Sequence, residues 1–256
     1  MARAITFDLW HTLLYLEPRE EEAYMRQQWE LGVRALLPRR TPVSRAIHGT
    51  FRKAFRVAYA EAVENAGEGI SVSPSEQVRR AAKRLGVRGR PSEYVKGLSQ
   101  LVATSPFRRT DGALEVLEEL HKLGFRIGVI SNTVGEPGRF LRRVCDQMGI
   151  SAKVDDFTWS DELPWTKPSP EIFQHCLDRL KVTAQNAVHV GDGAADVGGA
   201  RATGYRATIL FTGLHFYGES YRKLFMPGDS AKPSSDYSVR TLAGIPAIVR
   251  RVFALH

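Results

Sequence analysis

Short apolar runs alternate with longer amphipathic stretches along most of the chain. Four of the runs have the length and composition of buried β-strands: RAITFDLW (3–10), FRIGVISN (125–132), NAVHVGD (186–192) and YRATILF (205–211). Stretches with helical periodicity lie between them, such as GALEVLEELHKLG, in which leucines recur at every third position until Gly124. This alternation predicts an α/β fold, with a Rossmann-like parallel sheet that carries helices on both faces.

The segment 16–105 contains no clear strand and has the pattern of helices throughout. Apolar side chains four residues apart form one stripe, which we interpret as core-facing: Ile47, Phe51, Phe55, Tyr59 and Val63. The stretches SPSEQVRRAAKRLG and SEYVKGLSQLVA predict further helices. We therefore predict a Rossmann-like core domain formed by residues 1–15 and 106–256, with an all-helical cap domain, residues 16–105, inserted after the first strand.

A long connection, residues 213–235, is polar and rich in glycine, proline and serine. Connections of this length are often functional or mobile. The sequence does not distinguish between these two roles.

The composition is typical of a globular protein, with 43% apolar and 25% charged residues among 256. No apolar run approaches the roughly 18 residues of a membrane span, and the N-terminus lacks the architecture of a signal peptide. We therefore expect a cytoplasmic protein without a membrane partner. Cys145 and Cys176 fit that reducing compartment, and we interpret both as small buried thiols.

The formal net charge is +8, and residues 44–90 contribute strongly, with ten Lys/Arg against four Asp/Glu. A basic surface concentrates anionic ligands such as phosphate esters, although a solvated helix face gives the same composition. No zinc-finger spacing or RNA-binding aromatic signature accompanies the charge. We expect a small anionic substrate rather than nucleic acid, and a monomer or homodimer.

Polar residues stand where the predicted strands end. In open α/β sheets, ligands bind beyond the carboxyl ends of the strands. The candidates at these ends or in the loops between are Asp8 with Thr12, Ser131 with Asn132, Lys167 in TKPSPEIF, and Asp192 with Asp196 in VGDGAAD. We expect these groups to converge at one edge of the sheet, although they are far apart in sequence.

Taken in order, these motifs resemble the haloacid dehalogenase (HAD) superfamily of aspartate-nucleophile hydrolases with a C1-type helical cap. The resemblance covers nearly the whole chain: the first strand with Asp8, the inserted cap, Ser131, the Lys-Pro-x-Pro stretch at Lys167, and the Gly-Asp segment at Asp192. It implies a magnesium-dependent hydrolase. A phosphatase that acts on a small phosphorylated metabolite through an aspartyl-phosphate is the expected activity.

The chemistry of phosphoryl transfer agrees with the resemblance. Such a reaction needs a nucleophile, a cation that offsets charge, and positive groups around the transferring oxygens. By the family pattern, Asp8 is the nucleophile, and carboxylates do form covalent intermediates of this type. Lys167 would offset the charge of Asp8 and of the phosphate. The Ser131 hydroxyl and the Asn132 backbone N–H would hold phosphate oxygens.

The resemblance also implies a Mg²⁺ site. Magnesium takes hard oxygen ligands and keeps several waters. The family pattern assigns it Asp8, the backbone carbonyl of Trp10, and Asp192. Asp196 would support the metal through its waters or steady the loop, and Thr12 would fix the loop geometry rather than contact the substrate.

Trp10 departs from the phosphatase pattern. The phosphatases of the superfamily carry a second Asp there, which protonates the leaving alkoxide and then deprotonates the attacking water, a contribution of about 10²–10⁴-fold. An indole donates its N–H but does not exchange a proton near neutral pH. His11 in turn replaces a glycine of the pattern. It either supplies the acid/base group, because imidazole titrates in the useful range, or points away and merely tolerates the turn.

Three interpretations follow from Trp10. In the first, the protein is a phosphatase whose acid/base group is another residue or absent, so it prefers weakly basic leaving groups such as those of acyl phosphates, aryl phosphates and anhydrides. In the second, the protein is a 2-haloacid dehalogenase. Enzymes of that class carry Tyr at the position of Trp10 and need no metal. Without a cation, however, the carboxylates of Asp192 and Asp196 would repel Asp8. In the third, the fold binds a phosphorylated ligand or a protein partner with little turnover, which the intact Asp8 and Lys167 argue against. We expect the first.

Overall fold

The computed structural model describes residues 2–38, 44–214, 217–225 and 234–255. Its strands are β1 (Arg3–Phe7), β2 (Leu14–Tyr15), β3 (Arg108–Arg109), β4 (Phe125–Ser131), β5 (Asp156–Trp159), β6 (Ala187–Gly191), β7 (Ala207–Phe211) and β8 (Tyr237–Val239). Six of them form one parallel sheet in the order β5-β4-β1-β6-β7-β8. The predicted α/β class is confirmed, and each of the four apolar runs contains a strand of this sheet.

Helices cover both faces of the sheet. The helices are α1 (Pro18–Leu36), α2 (Arg45–Gly67), α3 (Pro74–Leu85), α4 (Pro91–Thr104), α5 (Ala113–Lys122), α6 (Gly138–Gln147), α7 (Pro170–Leu180), α8 (Ala194–Thr203), α9 (Glu219–Phe225) and α10 (Ile245–Val252). Alternate side chains of β1 enter two apolar clusters: Ala4 packs with α7 and α8, whereas Ile5 and Phe7 pack with α5, α6 and α10. Successive strand residues point to opposite faces, so both faces of the central strand are buried.

The segment between β2 and β3 is helical, as the sequence predicts. Its helices α1 to α4 pack together, with the rings of Phe55 and Tyr94 5.4 Å apart at the centre. The antiparallel pair β2–β3 joins the two ends of the segment, with Leu14 opposite Arg109. An all-helical insertion after the first strand is thus confirmed, while the division into domains at 16–105 stays a prediction.

The apolar stripe of α2 is only partly core. Phe55 and Tyr59 are buried, but Ile47, near the first turn of the helix, is 46% exposed. The interpretation of the stripe as core-facing is therefore wrong at that end. Both cysteines, Cys145 and Cys176, are buried and unpaired.

Part of the long connection 213–235 is ordered as helix. Helix α9 lies within it and packs against α1. The residues 215–216 and 226–233 of the connection lie outside the described residues. Among the helices that the structure describes, none has the length and apolarity required to cross a membrane.

Candidate active site

Three neighbouring strands end at the same edge of the sheet and carry central residues of the site. Asp8 follows β1, Ser131 ends β4 and Asp192 follows β6, and β1 lies between the other two strands. The Asp8 backbone N–H donates to the Val190 carbonyl at 2.8 Å, so the ladder between β1 and β6 extends to Asp8 itself. The structure thus brings these strand ends side by side.

Lys167 is buried between two carboxylates. Its Nζ donates to Asp8 Oδ1 and, at 2.7 Å, to Asp196 Oδ1, and Lys167 is only 3% exposed. Burial disfavours the ammonium, but Asp196 and Asp8 outweigh that cost and keep the pKa of Lys167 above its ordinary value. Lys167 is therefore charged at neutral pH and faces the predicted nucleophile.

Asn132 holds the backbone on which Lys167 sits. Its side-chain Oδ1 accepts the Lys167 N–H at 2.8 Å, and its Nδ2 donates to the Lys167 carbonyl at 2.9 Å. The sequence predicted a phosphate-binding role for the backbone N–H of Asn132. The side-chain role is an addition that the sequence did not reveal, because it joins two loops 35 residues apart.

Three carboxylates lie together at this point. Asp8, Asp192 and Asp196 each offer one oxygen within 4.8 Å of the others. Asp8 and Asp196 are buried and Asp192 is half-buried. Carboxylate oxygens are the ligands that Mg²⁺ prefers, and three negative charges beside one lysine ammonium leave an excess that a divalent cation would offset. The donor set therefore fits magnesium.

The electrostatics of Asp8 and Asp192 follow from this crowding. Burial raises the pKa of Asp8 to about 8; Lys167 opposes the shift, and the carboxylates of Asp196 and Asp192 add to it. Burial also raises the pKa of Asp192 to about 6, against the opposing effect of His11. A cation bound between them would favour the ionised form of both.

Asp196 has its oxygens engaged within the protein. Oδ1 accepts from Lys167 and lies 3.1 Å from His189 Nε2, and Oδ2 accepts the Gly193 N–H at 3.1 Å. Burial works against ionisation, but Lys167 and His189 outweigh it and hold the pKa of Asp196 well below its usual range. These contacts favour the supporting role that the sequence predicted over direct ligation.

His189 was not singled out by the sequence. It lies in β6 among apolar residues and is 1% exposed, and its Nδ1 is 2.8 Å from Thr6 Oγ1 while Nε2 faces Asp196. Burial is the largest influence and lowers the pKa of His189 below its ordinary value. A polar residue inside an apolar strand pattern was the available signal, because such a side chain needs a buried partner.

Ser131 and Thr12 differ from the other predicted residues. Both are fully buried, and within the described part of the chain neither hydroxyl has a hydrogen-bond partner. A buried hydroxyl without a partner is costly, so the Ser131 hydroxyl at the strand end is suited to receive a substrate oxygen. The Thr12 hydroxyl gives no evidence here for the loop-fixing role.

Trp10 points into an aromatic cluster and lies beside the buried Glu136. The indole lies 5.4 Å from the Phe107 ring and 6.2 Å from the Tyr24 ring, centre to centre. The indole also lies close enough to the buried Glu136 carboxyl to oppose the rise in its pKa that burial causes. The tryptophan therefore has a structural partner at the position where the phosphatase pattern has an acid.

Glu136 is the second residue that the sequence missed. Its Oε2 accepts from Gln28 Nε2 at 2.6 Å and from the Tyr24 hydroxyl at 3.1 Å, both on α1. Burial raises the pKa of Glu136 to about 7, against the three side-chain donors, Tyr24, Gln28 and Trp10. The carboxylate thus links the loop after β4 to the first helix of the inserted segment.

His11 contacts α1 and also lies near enough to Asp192 to oppose the rise in that carboxyl's pKa that burial causes. Its φ is +55°, a left-handed conformation that favours glycine and explains why the family pattern has one there. Its Nε2 lies 2.9 Å from Glu21 Oε1, and its ring contacts Tyr217 with centroids 4.6 Å apart. Burial opposes protonation, but Glu21 and the nearby carboxylates outweigh it and raise the pKa of His11.

Comparison with known proteins adds the family. A family model of haloacid dehalogenase-like hydrolases matches residues 2–204. A phosphoglycolate phosphatase from Pseudomonas fluorescens is 34% identical over 104 residues, which cover 41% of this chain and 37% of the relative. A glyceraldehyde 3-phosphate phosphatase from Pyrococcus abyssi is 30% identical over 182 residues, which cover 69% of this chain and 74% of the relative.

Solved structures agree on the fold. A 2-haloacid dehalogenase from Pseudomonas syringae pv. tomato aligns with a TM-score of 0.64 over 98% of this chain and 99% of its own, at 22% identity. The chain spans between 37% and 41% of the length of the phosphoglycolate phosphatases that it matches first. Because the family match extends over most of the sequence, from the first strand to the end of α8, the chain belongs to the haloacid dehalogenase-like hydrolases.

Proposed function

We propose that the protein is a magnesium-dependent phosphatase that acts on a small phosphorylated metabolite, with Asp8 as the nucleophile. The observation that carries the proposal is the buried contact of Asp8 with the Lys167 ammonium beside Asp192 and Asp196. The curated relatives add support, because their names are those of phosphatases that act on phosphoglycolate and glyceraldehyde 3-phosphate. Both are small anions, which suit a site with a buried lysine, but both are alkyl phosphates, so these names support phosphoryl transfer and not a preference for weakly basic leaving groups.

The reaction begins with attack of an Asp8 oxygen on the phosphorus of the ester. The phosphorus–oxygen bond to the leaving group breaks, its electron pair stays on the departing oxygen, and the phosphoryl group remains on Asp8. Water then attacks the same phosphorus and gives up one proton, which goes to the departed leaving-group oxygen or to solvent. The acyl phosphate bond breaks with its electron pair on the Asp8 oxygen, which releases inorganic phosphate and the free carboxylate. Lys167 offsets the negative charge of the nucleophile and of the transferring oxygens throughout.

Other residues hold the phosphoryl group and the cation. Ser131 would donate its unpartnered hydroxyl to one phosphate oxygen, and the Asn132 backbone N–H would donate to another. Asp8, the Trp10 carbonyl and Asp192 would hold Mg²⁺, and Asp196 would keep its supporting contacts. When bound, the magnesium offsets the charge that gathers between the carboxylates and the phosphate.

Trp10 restricts the leaving group. Because an indole does not exchange a proton near neutral pH, this position offers no proton to a departing alkoxide. Leaving groups that depart as weak bases, such as phenolates and carboxylates, need no such proton. The substrate preference that follows is for acyl phosphates, aryl phosphates and anhydrides over simple alkyl phosphates.

Dehalogenation is the second candidate, and Trp10 is the observation that favours it. Halide leaves without a proton, so an aromatic residue in place of the acid does not slow that reaction. The cluster of Asp8, Asp192 and Asp196 opposes this candidate, because a site that works without a cation has no use for three carboxylates within 4.8 Å. A third candidate is a protein that binds a phosphorylated ligand with little turnover. The absence of the acid/base residue at position 10 is the one feature that supports it.

Hydrolysis of p-nitrophenyl phosphate separates these candidates. We expect slow hydrolysis in Mg²⁺, none in chelator, and none by Asp8→Asn, because the amide is not a nucleophile. Asp178→Asn, at an exposed position of α7, is the matched control and should retain the wild-type rate. Chloride release from 2-chloropropionate without metal would favour dehalogenation instead. No turnover on a broad metabolite panel, with phosphate-analogue binding retained, would favour a binding protein.

A further inference from the structure

The segment 217–225 returns from the sheet to the site and lies against the inserted helices. Its helix α9 packs against α1, and the Ser220 hydroxyl donates to Glu22 Oε2 of that helix at 2.8 Å. The Gly218 N–H donates to Glu21 Oε2 at 2.5 Å. The segment is therefore held against α1.

Tyr217, at the start of this segment, contacts the carboxylate cluster. Its hydroxyl donates to Asp192 Oδ2 at 2.9 Å, and its ring meets the edge of the His11 imidazole with centroids 4.6 Å apart. His11 in turn lies 2.9 Å from Glu21, the same side chain that accepts the Gly218 N–H. Glu21 thus supports Tyr217 twice, through the adjoining backbone and through the ring against which the tyrosine packs.

Asp192 needs such support. An oxygen of Asp192 lies within 4.8 Å of oxygens of two other carboxylates, which repel it. Among the residues that the structure describes, the Tyr217 hydroxyl is the group that donates a hydrogen bond to the Asp192 side chain. A free carboxylate would rotate away from its neighbours to reduce the repulsion. A donor on one oxygen fixes the rotation, so the second oxygen is held for another partner.

We propose that Tyr217 is a positioning residue that holds the Asp192 carboxylate for a divalent cation shared with Asp8. This inference rests on the proposed function, because it assumes that the cluster binds magnesium. Partners outside the first coordination shell orient the ligands of a metal, and their loss typically weakens metal binding by about 10–100-fold. The role belongs to the hydroxyl, since the ring contact alone would not orient Asp192.

The test is the Mg²⁺ affinity of the purified full chain, measured by calorimetry. A second measurement follows the binding of Mn²⁺ to the same site by spectroscopy. Tyr217→Phe keeps the ring on His11 and removes the hydroxyl, so we expect affinity to fall by about tenfold or more. The melting temperature in chelator should stay close to that of the wild type. Activity at saturating Mg²⁺ should recover, because the defect lies in the metal affinity.

Two comparison variants separate the outcomes. Ser220→Ala loosens the same segment without touching Asp192 and should bind Mg²⁺ like the wild type, whereas Asp192→Asn should bind it far more weakly. If Tyr217→Phe binds Mg²⁺ as tightly as the wild type, or if Ser220→Ala loses as much Mg²⁺ affinity as Tyr217→Phe, the role of Tyr217 is overturned. The proposed function stays intact in both cases. Failure of the wild-type protein to bind Mg²⁺ would overturn both.

Discussion

At the scale of single residues, Trp10 decides the chemistry that the site can perform. Its ring packs against the rings of Phe107 and Tyr24, so the side chain serves as part of an aromatic cluster. The nucleophile and the lysine nevertheless keep their contact. Under the proposed function, Asp8 can still attack phosphorus, while this position does not provide a proton to the leaving group.

Restoring a carboxylate at this position should change the leaving-group preference. We predict that Trp10→Asp raises the rate on alkyl phosphates relative to aryl phosphates by about tenfold or more, since general acid catalysis contributes about 10²–10⁴-fold. The variant should also be less stable, by about 2–4 kcal/mol, because it empties the aromatic cluster and places a second carboxylate near Glu136. Steady-state rates on paired alkyl and aryl substrates, with urea unfolding, measure both effects.

Trp10→Phe is the control for this experiment, because it removes the indole N–H without adding an acid. The rate ratio in that variant should match the wild type. An unchanged ratio in folded Trp10→Asp would argue that another group already supplies the proton. Glu136→Gln combined with Trp10→Asp should recover part of the lost stability, since it removes the repulsion between the two carboxylates.

At the scale of elements, the turn between β6 and α8 depends on a glycine at its start. A Cβ at Gly191 would overlap the Asp196 carboxyl group, which folds back over this residue to reach Lys167 and His189. The glycine is therefore required by close approach rather than by backbone conformation. The VGDGAAD motif thus has a packing reason for its first glycine besides the chemistry of its aspartates.

Adding a single methyl group should therefore disrupt the site. We predict that Gly191→Ala displaces Asp196, lowers Mg²⁺ affinity and activity by at least tenfold, and costs about 1–3 kcal/mol of stability, as overpacking usually does. The matched control is Gly198→Ala in α8, where an added Cβ meets nothing within 4 Å. That variant should be more stable by about 0.5–1 kcal/mol and fully active. Equal activity of the two variants would contradict the packing argument.

At the scale of the whole molecule, a few buried polar contacts join the inserted helices to the sheet. Glu136 accepts from Tyr24 and Gln28 of α1, and Gln77 of α3 donates to the Val134 carbonyl at 2.6 Å. All of these contacts reach the loop that follows β4. Two of the three contacts are made by one buried carboxyl group, so part of this packing depends on the protonation of Glu136.

The pH dependence of stability should report this carboxyl group. The pKa of Glu136 in the folded protein is about 7, above its ordinary 4.5, so the folded state binds the proton more tightly than the unfolded state. Its stabilising contribution is complete below about pH 4.5 and is lost as the pH rises through 7. From pH 5 to pH 8, the wild type should therefore lose on the order of 2 kcal/mol relative to Glu136→Gln.

Urea unfolding at several pH values, in chelator, measures this difference. Glu115→Gln, at an exposed position of α5, is the control and should follow the pH dependence of the wild type. If the free energy of unfolding changes with pH equally in the wild type and in Glu136→Gln, the Glu136 carboxyl group has the same pKa in the folded and unfolded states. That result would contradict the burial argument.

Strand prediction succeeded at the centre of the sheet and failed at its edges. The strands β1, β4, β6 and β7 are continuous apolar runs because parallel strands are buried on both faces. The missed strands β5 and β8 are the two edge strands and contain only four and three residues. Both alternate polar with aromatic or apolar residues, as in DFTW and YSV, but an alternation over three or four residues is too short to identify a strand.

The sequence by itself determined the α/β class, the helical insertion after the first strand, and the strand ends at which Asp8, Ser131 and Asp192 stand. These follow from local periodicity and from the rule that parallel strands share one carboxyl edge. Only the tertiary structure decided that Trp10 packs against Phe107, that Asn132 holds the backbone of Lys167, and that Tyr217 reaches Asp192. Such contacts join residues at least 25 positions apart, and packing of whole elements, which no local pattern records, sets which side chains meet.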